Sequence, residues 1–529
     1  MTDRLPAAAP AINPWIIAPV VALAAFMEVL DISIANVALQ HIAGNLSVSP
    51  DESTWILTSY LVTNAIVLPV SGWLSTVLGR KRFFMSCIAG FSVSSLLCGL
   101  APSLPLLILF RAIQGLTGGG LQPSAQAIIA DAFPPSKRGM AFALYGMSVV
   151  FAPAIGPTLG GWITDTASWR WVFLINVPIG AMLVPLIQAV VTDPPHAVAE
   201  RIERWKKGIR IDYVGFGLLL VGIGCLQIML DKGQRDDWFS SPFIIALAAV
   251  AVVGLIAFVL WELGQDDPIV DLRLLANRNF GTANFLMFML GVVLLSSTVL
   301  LPLIVQTLFG YTATEAGLVI TPGGFAIMMA MPIVGRLITV LDVRWMIVCG
   351  LVVCGYALLR MGHLTLAADY DTFMIDRIIQ TLGLSLLFIP ISTVAYIGLP
   401  PGANNQASAI INLSRNLGGS IGISITVSLL SHYTQQHRVA LVDKVNAGHA
   451  AYRSLFQSLT DAFMRHGASV TEAAQRAEAK IAALVGAQAS MLGFLDDFTT
   501  LGLSFILIIP FVFIMRRPSH ADAPPGGAH

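Results

Sequence analysis

The chain has 529 residues; 56% are hydrophobic and 11% are charged, with 30 basic and 30 acidic side chains. Soluble domains carry about 25% charged residues, and mean hydropathy here is +0.77. This balance excludes a soluble enzyme, a disordered chain and a nucleic-acid binder with a basic face; it defines an all-α polytopic membrane protein. A bilayer core ~30 Å thick needs roughly 20 apolar residues per helix. Apolar runs fall at 15–39, 54–78, 82–100, 104–130, 139–163, 169–191, 211–230, 241–262, 280–307, 314–339, 343–362, 373–398, 405–431 and 493–515, fourteen in all. An even number puts both termini on one side. Even-numbered spans are followed by Arg80, Lys81 and Arg82, by Lys137 and Arg138, by Arg201, Arg204, Lys206, Lys207 and Arg210, by Arg273 and Arg278, and by Arg344. Arg516 and Arg517 follow the last span. The excess of positive charge places these turns and both termini in the cytoplasm. Lys232 and Arg235 lie on the other side, beside Asp231, Asp236 and Asp237.

The first run carries Glu28 and Asp31. An acid in a lipid-spanning helix costs ~2.5 kcal/mol or more, so it is expected to face a cavity and to have a use. The two are i and i+3, on one helical face. They are the expected proton carriers; the plainer alternative is a buried ion pair that ties helices together. Arg111 in the fourth run is the expected partner, since it and Asp31 both lie roughly 10–12 Å below the outer boundary at 1.5 Å per residue. Glu28 and Gln114 are each one turn deeper and match likewise. Gln114 and Asn36 are assigned to the substrate cavity.

Further along, Gly72 to Arg82 forms a glycine-containing basic turn with Gly79, Arg80, Lys81 and Arg82. The positive-inside effect alone explains its charges; Asp131, at the inner end of the fourth run, is close enough in depth to pair with Arg80 or Arg82. The fifth run holds Pro153, Gly156, Pro157, Gly160 and Gly161. Glycines four apart let helices approach closely, and each proline removes a backbone donor. Gly118, Gly119 and Gly120 lie in an apolar span without a following G-K-[ST], so they make no nucleotide loop. Five cysteines sit in apolar runs without a C-x-x-C pair, and the histidines show no metal spacing.

An internal repeat is visible. Arg377 and Gln380 in the twelfth run copy Arg111 and Gln114, and Arg415 with Gly418 and Gly419 lies in the thirteenth. Spans 1–6 therefore match spans 9–14, as repeated halves of a transporter do. The expected units are 1–191, an inner linker with two inserted spans at 192–270, and 271–529. Within the last unit, 432–492 is a long outer loop whose Ala-, Glu- and Gln-rich stretches predict helix.

Together these motifs resemble the fourteen-span drug:proton antiporters of the major facilitator superfamily. Leu30 to Leu39 looks like that family's span-one motif, Gly72 to Arg82 its turn motif, Arg111 to Gly120 its span-four motif, and Gly156 to Gly161 its antiporter motif. The resemblance implies the major facilitator fold: two six-helix bundles plus two extra transmembrane helices. It implies proton-driven export of hydrophobic compounds from the bacterial inner membrane, with no cofactor beyond the proton gradient and no enzymatic reaction. It further implies a periplasmic adaptor (a membrane fusion protein) and an outer-membrane channel as partners. One departure stands out: Thr76 occupies a turn position where the family usually has an acid, which leaves Asp131 as the acid of that turn. The rivals are an exporter dedicated to one metabolite, siderophore or fatty acid, and a multi-span membrane enzyme.

Overall fold

The structure, a computed structural model, describes residues 13–207, 212–400, 402–443, 445–446 and 448–515. Arg210, Arg516 and Arg517 of the basic pattern, and both chain ends, lie outside the described residues. The described chain is helical almost throughout. The long helices are α1 (Pro14–Leu46), α2 (Trp55–Leu78), α3 (Arg80–Leu100), α4 (Leu104–Ala132), α5 (Pro135–Thr166), α6 (Trp171–Val190), α7 (Tyr213–Lys232), α8 (Pro242–Gly264), α9 (Arg278–Thr307), α10 (Ala313–Leu337), α11 (Val343–Met361) and α12 (Tyr370–Val394). They are followed by α13 (Asn404–Val442), α14 (Ala450–Arg465) and α15 (Val470–Val512).

Thirteen of these helices are long and apolar enough to cross a bilayer. The fourteenth expected span, α13, is long enough at 39 residues but too polar in its first turns, where Asn404, Asn405, Gln406, Ser408, Asn412 and Arg415 stand. Its polarity is tolerable because it packs between α9, α15, α2 and the end of α4, so polar groups meet protein rather than hydrocarbon. By contrast α8 touches little besides α7 and exposes Val250, Val252, Val253, Ile256 and Leu260, as a lipid-facing helix does.

The packing follows the repeat. Helices α1 to α6 contact one another, with α1 on α5, α2 on α4 and α3 on α6; α9 packs on α13, α11 on α12 and α15, and α10 on α12. Two seams join these groups: α5 with α10, and α13 with α2 and α4. Helices α7 and α8 form a pair, and α7 rests on α2 and α13. Along the α5–α10 seam small residues meet closely. Gly335 lies against Met140 and Gly139, and Gly317 against Thr158 and Pro157.

Local breaks have local causes. In α4 the helix loosens at Gly119 and Gly120, where a side chain would strike Asn64 or Phe83 and Cys87, and Pro123 lacks the N–H that would bond the carbonyl four residues back. The segment 432–492, expected as a long outer loop with helical stretches, is largely helical in its described residues, and α13 and α15 carry two spans on into it. Helix α13 runs unbroken to Val442, and α15 begins at Val470 and carries on through the last span for 43 residues. Such a rod is ~65 Å long at 1.5 Å per residue, about twice the hydrocarbon thickness. Helix α14 packs on α15, whose Ala473, Ala477 and Ile481 are buried.

Candidate functional site

The first buried centre joins α1, α3, α4 and α6. Arg111 is fully buried and its Nη1 donates to Asp31 at 2.6 Å and to Gln114 at 2.7 Å. Its Nε donates to the Ile56 carbonyl at 3.2 Å, and the guanidinium lies 4.4 Å from the centre of the Tyr60 ring. Asp31 also accepts from Gln114 at 3.0 Å and from Asn176 at 2.7 Å. Ser95 accepts from both amides, at 2.6 Å and 3.3 Å. The carboxylate is thus matched by one cation and two amide donors, which is how a buried charge is made tolerable. A proton on Asp31 would cancel the charge that holds all three donors.

Asp31 thus meets Arg111 at the depth expected, whereas Gln114 serves Asp31 and not Glu28. Glu28, also buried, accepts from Asn64 at 3.0 Å, and its second oxygen has no partner among the described residues. Arg415 stands on α13 in the other half. Arg415 itself donates to Gln122 and Asn412, and its buried Nη1 is unpartnered. Asn36 is exposed and takes no part in either cluster.

At the end bearing the basic turns the halves are bolted together by polar groups. Arg80 pairs with Asp131 and also donates to the Ala127 carbonyl at 3.2 Å. Asn404 donates to the same Asp131, Asn405 to Thr76 at 3.3 Å, and Asn412 to Gln126 at 2.9 Å. Gly72 lets the backbone of Asn405 approach; a Cβ there would sit 3.0 Å from its carbonyl oxygen. Gly79 has φ +88°, a region that favours glycine. A second acid, unforeseen from the sequence, reaches this turn from the linker. Asp193 accepts from the Lys81 N–H at 2.8 Å and pairs with Arg201 at 3.3 Å. Lys81 Nζ donates to the Gln188 carbonyl at 2.6 Å, and Arg82 is exposed. So Arg80, not Arg82, pairs with Asp131, and Asp193 adds the charge that Thr76 cannot.

The fifth-span glycines face two ways. Gly156 and Gly160 lie against Ser33 and Ile34 of α1, two and three residues beyond Asp31. Gly161 points toward α10, where a Cβ would be 3.3 Å from Thr314. Ser33 donates to the Pro153 carbonyl at 3.4 Å, and Thr321 of α10 donates to the Ala154 carbonyl at 3.1 Å. Pro157 lacks the N–H that would bond the Pro153 carbonyl four residues back, which leaves that carbonyl open to Ser33.

The second half repeats the first centre. A single offset of 266 residues takes Arg111 to Arg377, Gln114 to Gln380 and Gly156 to Gly422. Arg377 donates to Gln380 at 2.8 Å, as Arg111 does to Gln114 at 2.7 Å. The same offset takes Asp31 to Ser297.

A helical membrane protein with two repeated halves, close-packed glycine seams and a buried acid–arginine centre is a transporter in architecture. The comparisons agree. The profile of the Major Facilitator Superfamily matches residues 21–423. The chain is 38% identical over 499 residues to the multidrug export protein EmrB of Haemophilus influenzae, covering 94% of each chain. It is 34% identical over 508 residues to the fatty acid resistance protein FarB of Neisseria gonorrhoeae, covering 96% of each. The human organic anion transporter MFSD10 superposes with a TM-score of 0.60 at 14% identity, over 95% of this chain and all of that one, a likeness of fold. The chain belongs to the major facilitator superfamily.

Proposed function

We propose that this chain is a proton-coupled antiporter that exports hydrophobic drugs and toxicants across the inner membrane of a bacterium, with the basic turns and both termini cytoplasmic. The family and the multidrug export relatives support the export reading, and the observation that carries the coupling is the Asp31–Arg111 centre. Asp31 is buried, yet one proton removes the charge that Arg111, Gln114 and Asn176 satisfy. The freed Arg111 then needs another arrangement, which is the differential interaction that a two-state cycle requires. Glu28 is a second buried acid on the same face of α1, and Gly156, Pro157, Gly160 and Gly161 form the hinge on which α1 and α10 bear. Residues 1–191 and 271–529 act as the two moving units, with 192–270 inserted between them. Arg80, Lys81, Asp131 and Asn404 latch the cytoplasmic end. The α13–α15 projection docks a periplasmic adaptor that leads to an outer-membrane channel.

The test is Asp31→Asn in proteoliposomes under an imposed pH gradient. The variant keeps volume and loses the titratable group, so coupled export and proton uptake fall to background while the protein still folds. Normal coupling by this variant would remove Asp31 as the proton site. Dedication to a single compound, such as the fatty acid named for FarB, would appear as protection against that compound alone when a resistance panel is run.

A further inference from the structure

The repeat copies the arginine but not its acid. Asp31 and Arg111 are 80 residues apart in the chain, and so are Ser297 and Arg377, which makes its hydrogen bond to Ser297 at 3.3 Å. Arg377 also donates to Thr298 at 3.1 Å, and it is 4% exposed. Among the described residues no carboxylate contacts it. Its chain neighbour Asp376 faces Arg360 of α11 at 3.1 Å instead. Two buried donors there, Arg377 Nε and Gln380 Nε2, have no partner among the described residues, against one, Arg111 Nη2, in the first centre.

A full positive charge surrounded by two hydroxyls and one amide oxygen is an incomplete arrangement. Buried guanidinium groups are ordinarily paired, because neutral acceptors do not replace the hydration lost. A guanidinium presents a fixed fork suited to a carboxylate. In the first half Asp31 supplies a carboxylate to one arm of the fork, Nη1; in the second half the chain supplies Ser297, which is shorter and uncharged. Arg377 lies one helix behind the seam of the two halves. Gly323 of α10 sits against its stem, and α10 is the helix that packs on α5.

We propose that Arg377, Gln380, Ser297 and Thr298 form an anion-recognition site for substrate, in which the carboxylate of an amphiphilic compound takes the place that Asp31 fills in the first half. This rests on the export reading and narrows it: the preferred cargo is apolar with a single negative charge. Proton binding belongs to one half and recognition of the cargo's charge to the other.

The probes are naphthalene-2-carboxylate and its neutral carboxamide, titrated onto the full-length protein in nanodiscs. Wild type binds the carboxylate at least tenfold more tightly than the carboxamide. Arg377→Gln lowers that ratio at least tenfold by removing the charge. Ser297→Asp lowers it as much by filling the place internally, and, since it completes an ion pair, it supplies a folded variant if Arg377→Gln fails to fold. A wild-type ratio near one, or an unchanged ratio in Ser297→Asp, overturns the proposal. So does saturable chloride binding without carboxylate preference, which would make this a resident-ion site. Proton-driven export of the carboxamide separates the two levels of argument. A protein that exports it but shows no carboxylate preference defeats this inference alone; one that moves neither compound defeats the export reading as well.

Discussion

The Arg111 and Arg377 centres share a scaffold and differ in one side chain. Both place Arg and Gln three residues apart on a helix, and both direct the guanidinium at the same point on the neighbouring half-repeat helix. In one the point is Asp31, a carboxylate that Asn176 also meets; in the other it is Ser297, and no carboxylate is in contact among the described residues, while each guanidinium keeps one nitrogen without a partner there. The difference teaches that duplication supplies geometry, while the charge balance of each copy sets what it can bind. On the readings proposed above, the centre that holds an acid responds to a proton and the one without an acid takes an anion.

The largest contrast is expected on removing each arginine. Arg111→Gln leaves Asp31 buried without its cation, and breaking a buried pair on one side costs about 3–5 kcal/mol. Arg377→Gln orphans only hydroxyls and an amide, at about 1–3 kcal/mol. Thermal melting of the two variants in detergent should therefore show the greater drop for Arg111→Gln, and the reverse order would mean that the second centre holds an acid of its own.

A smaller test asks whether the glycine seams match as the centres do. Gly156 lies against Ser33 of α1, and Gly422, at the same offset, lies against Val292 and Ser296 of α9. Gly156→Leu and Gly422→Leu should each slow transport severely, because each pushes apart helices that depend on close approach. If both export at the normal rate, the seams are packing without mechanical use. At the latch, Asn404→Ala removes one hydrogen bond to Asp131 and leaves Arg80 in place. Its effect should be modest, about 1 kcal/mol, and appear as greater cysteine accessibility at the end that bears the basic turns.

The smallest effect concerns the helix starts. Ser103 begins α4 without a side-chain cap, whereas Asp369, its counterpart at the start of α12, accepts from the Thr372 N–H at 3.0 Å. The Thr372 hydroxyl, and then its N–H, hold the Asp369 carboxyl below its usual value. A depressed value in the folded state means stability that is present above the unfolded-state pKa and lost as pH falls through the folded one. A shallow fall in melting temperature in that acidic range, abolished in Asp369→Asn, would check it.

Thirteen of the fourteen expected spans could be read from apolar runs because lipid requires continuous apolar helices. Arg111 and Asp31 could be matched because depth along each helix is countable from its ends. Lateral neighbours could not. Asn176 reaches Asp31 from α6 and Ser95 reaches its amide partners from α3, and nothing in linear spacing says which helices adjoin. Gln114 was misassigned for the same reason: crossing helices shift equal depths by about a turn. Asp193 was hidden because the linker's position against α3 is tertiary. Composition also concealed the continuity of α13 and α15, since hydropathy falls at the membrane edge while the helical hydrogen-bond ladder does not.

That continuity makes α15 a lever. Its first 23 residues, 470–492, precede the expected span and measure roughly 35 Å at 1.5 Å per residue. They are rigidly joined to the helix that packs on α11 and α13. If the second half turned by roughly 15°, the scale of subunit rotations in allosteric proteins, the far end would swing by roughly 9 Å. A displacement of that size at the tip is larger than most changes within a rocking bundle. Whatever is attached there would feel the cycle as mechanical motion, without any substrate having to reach it first.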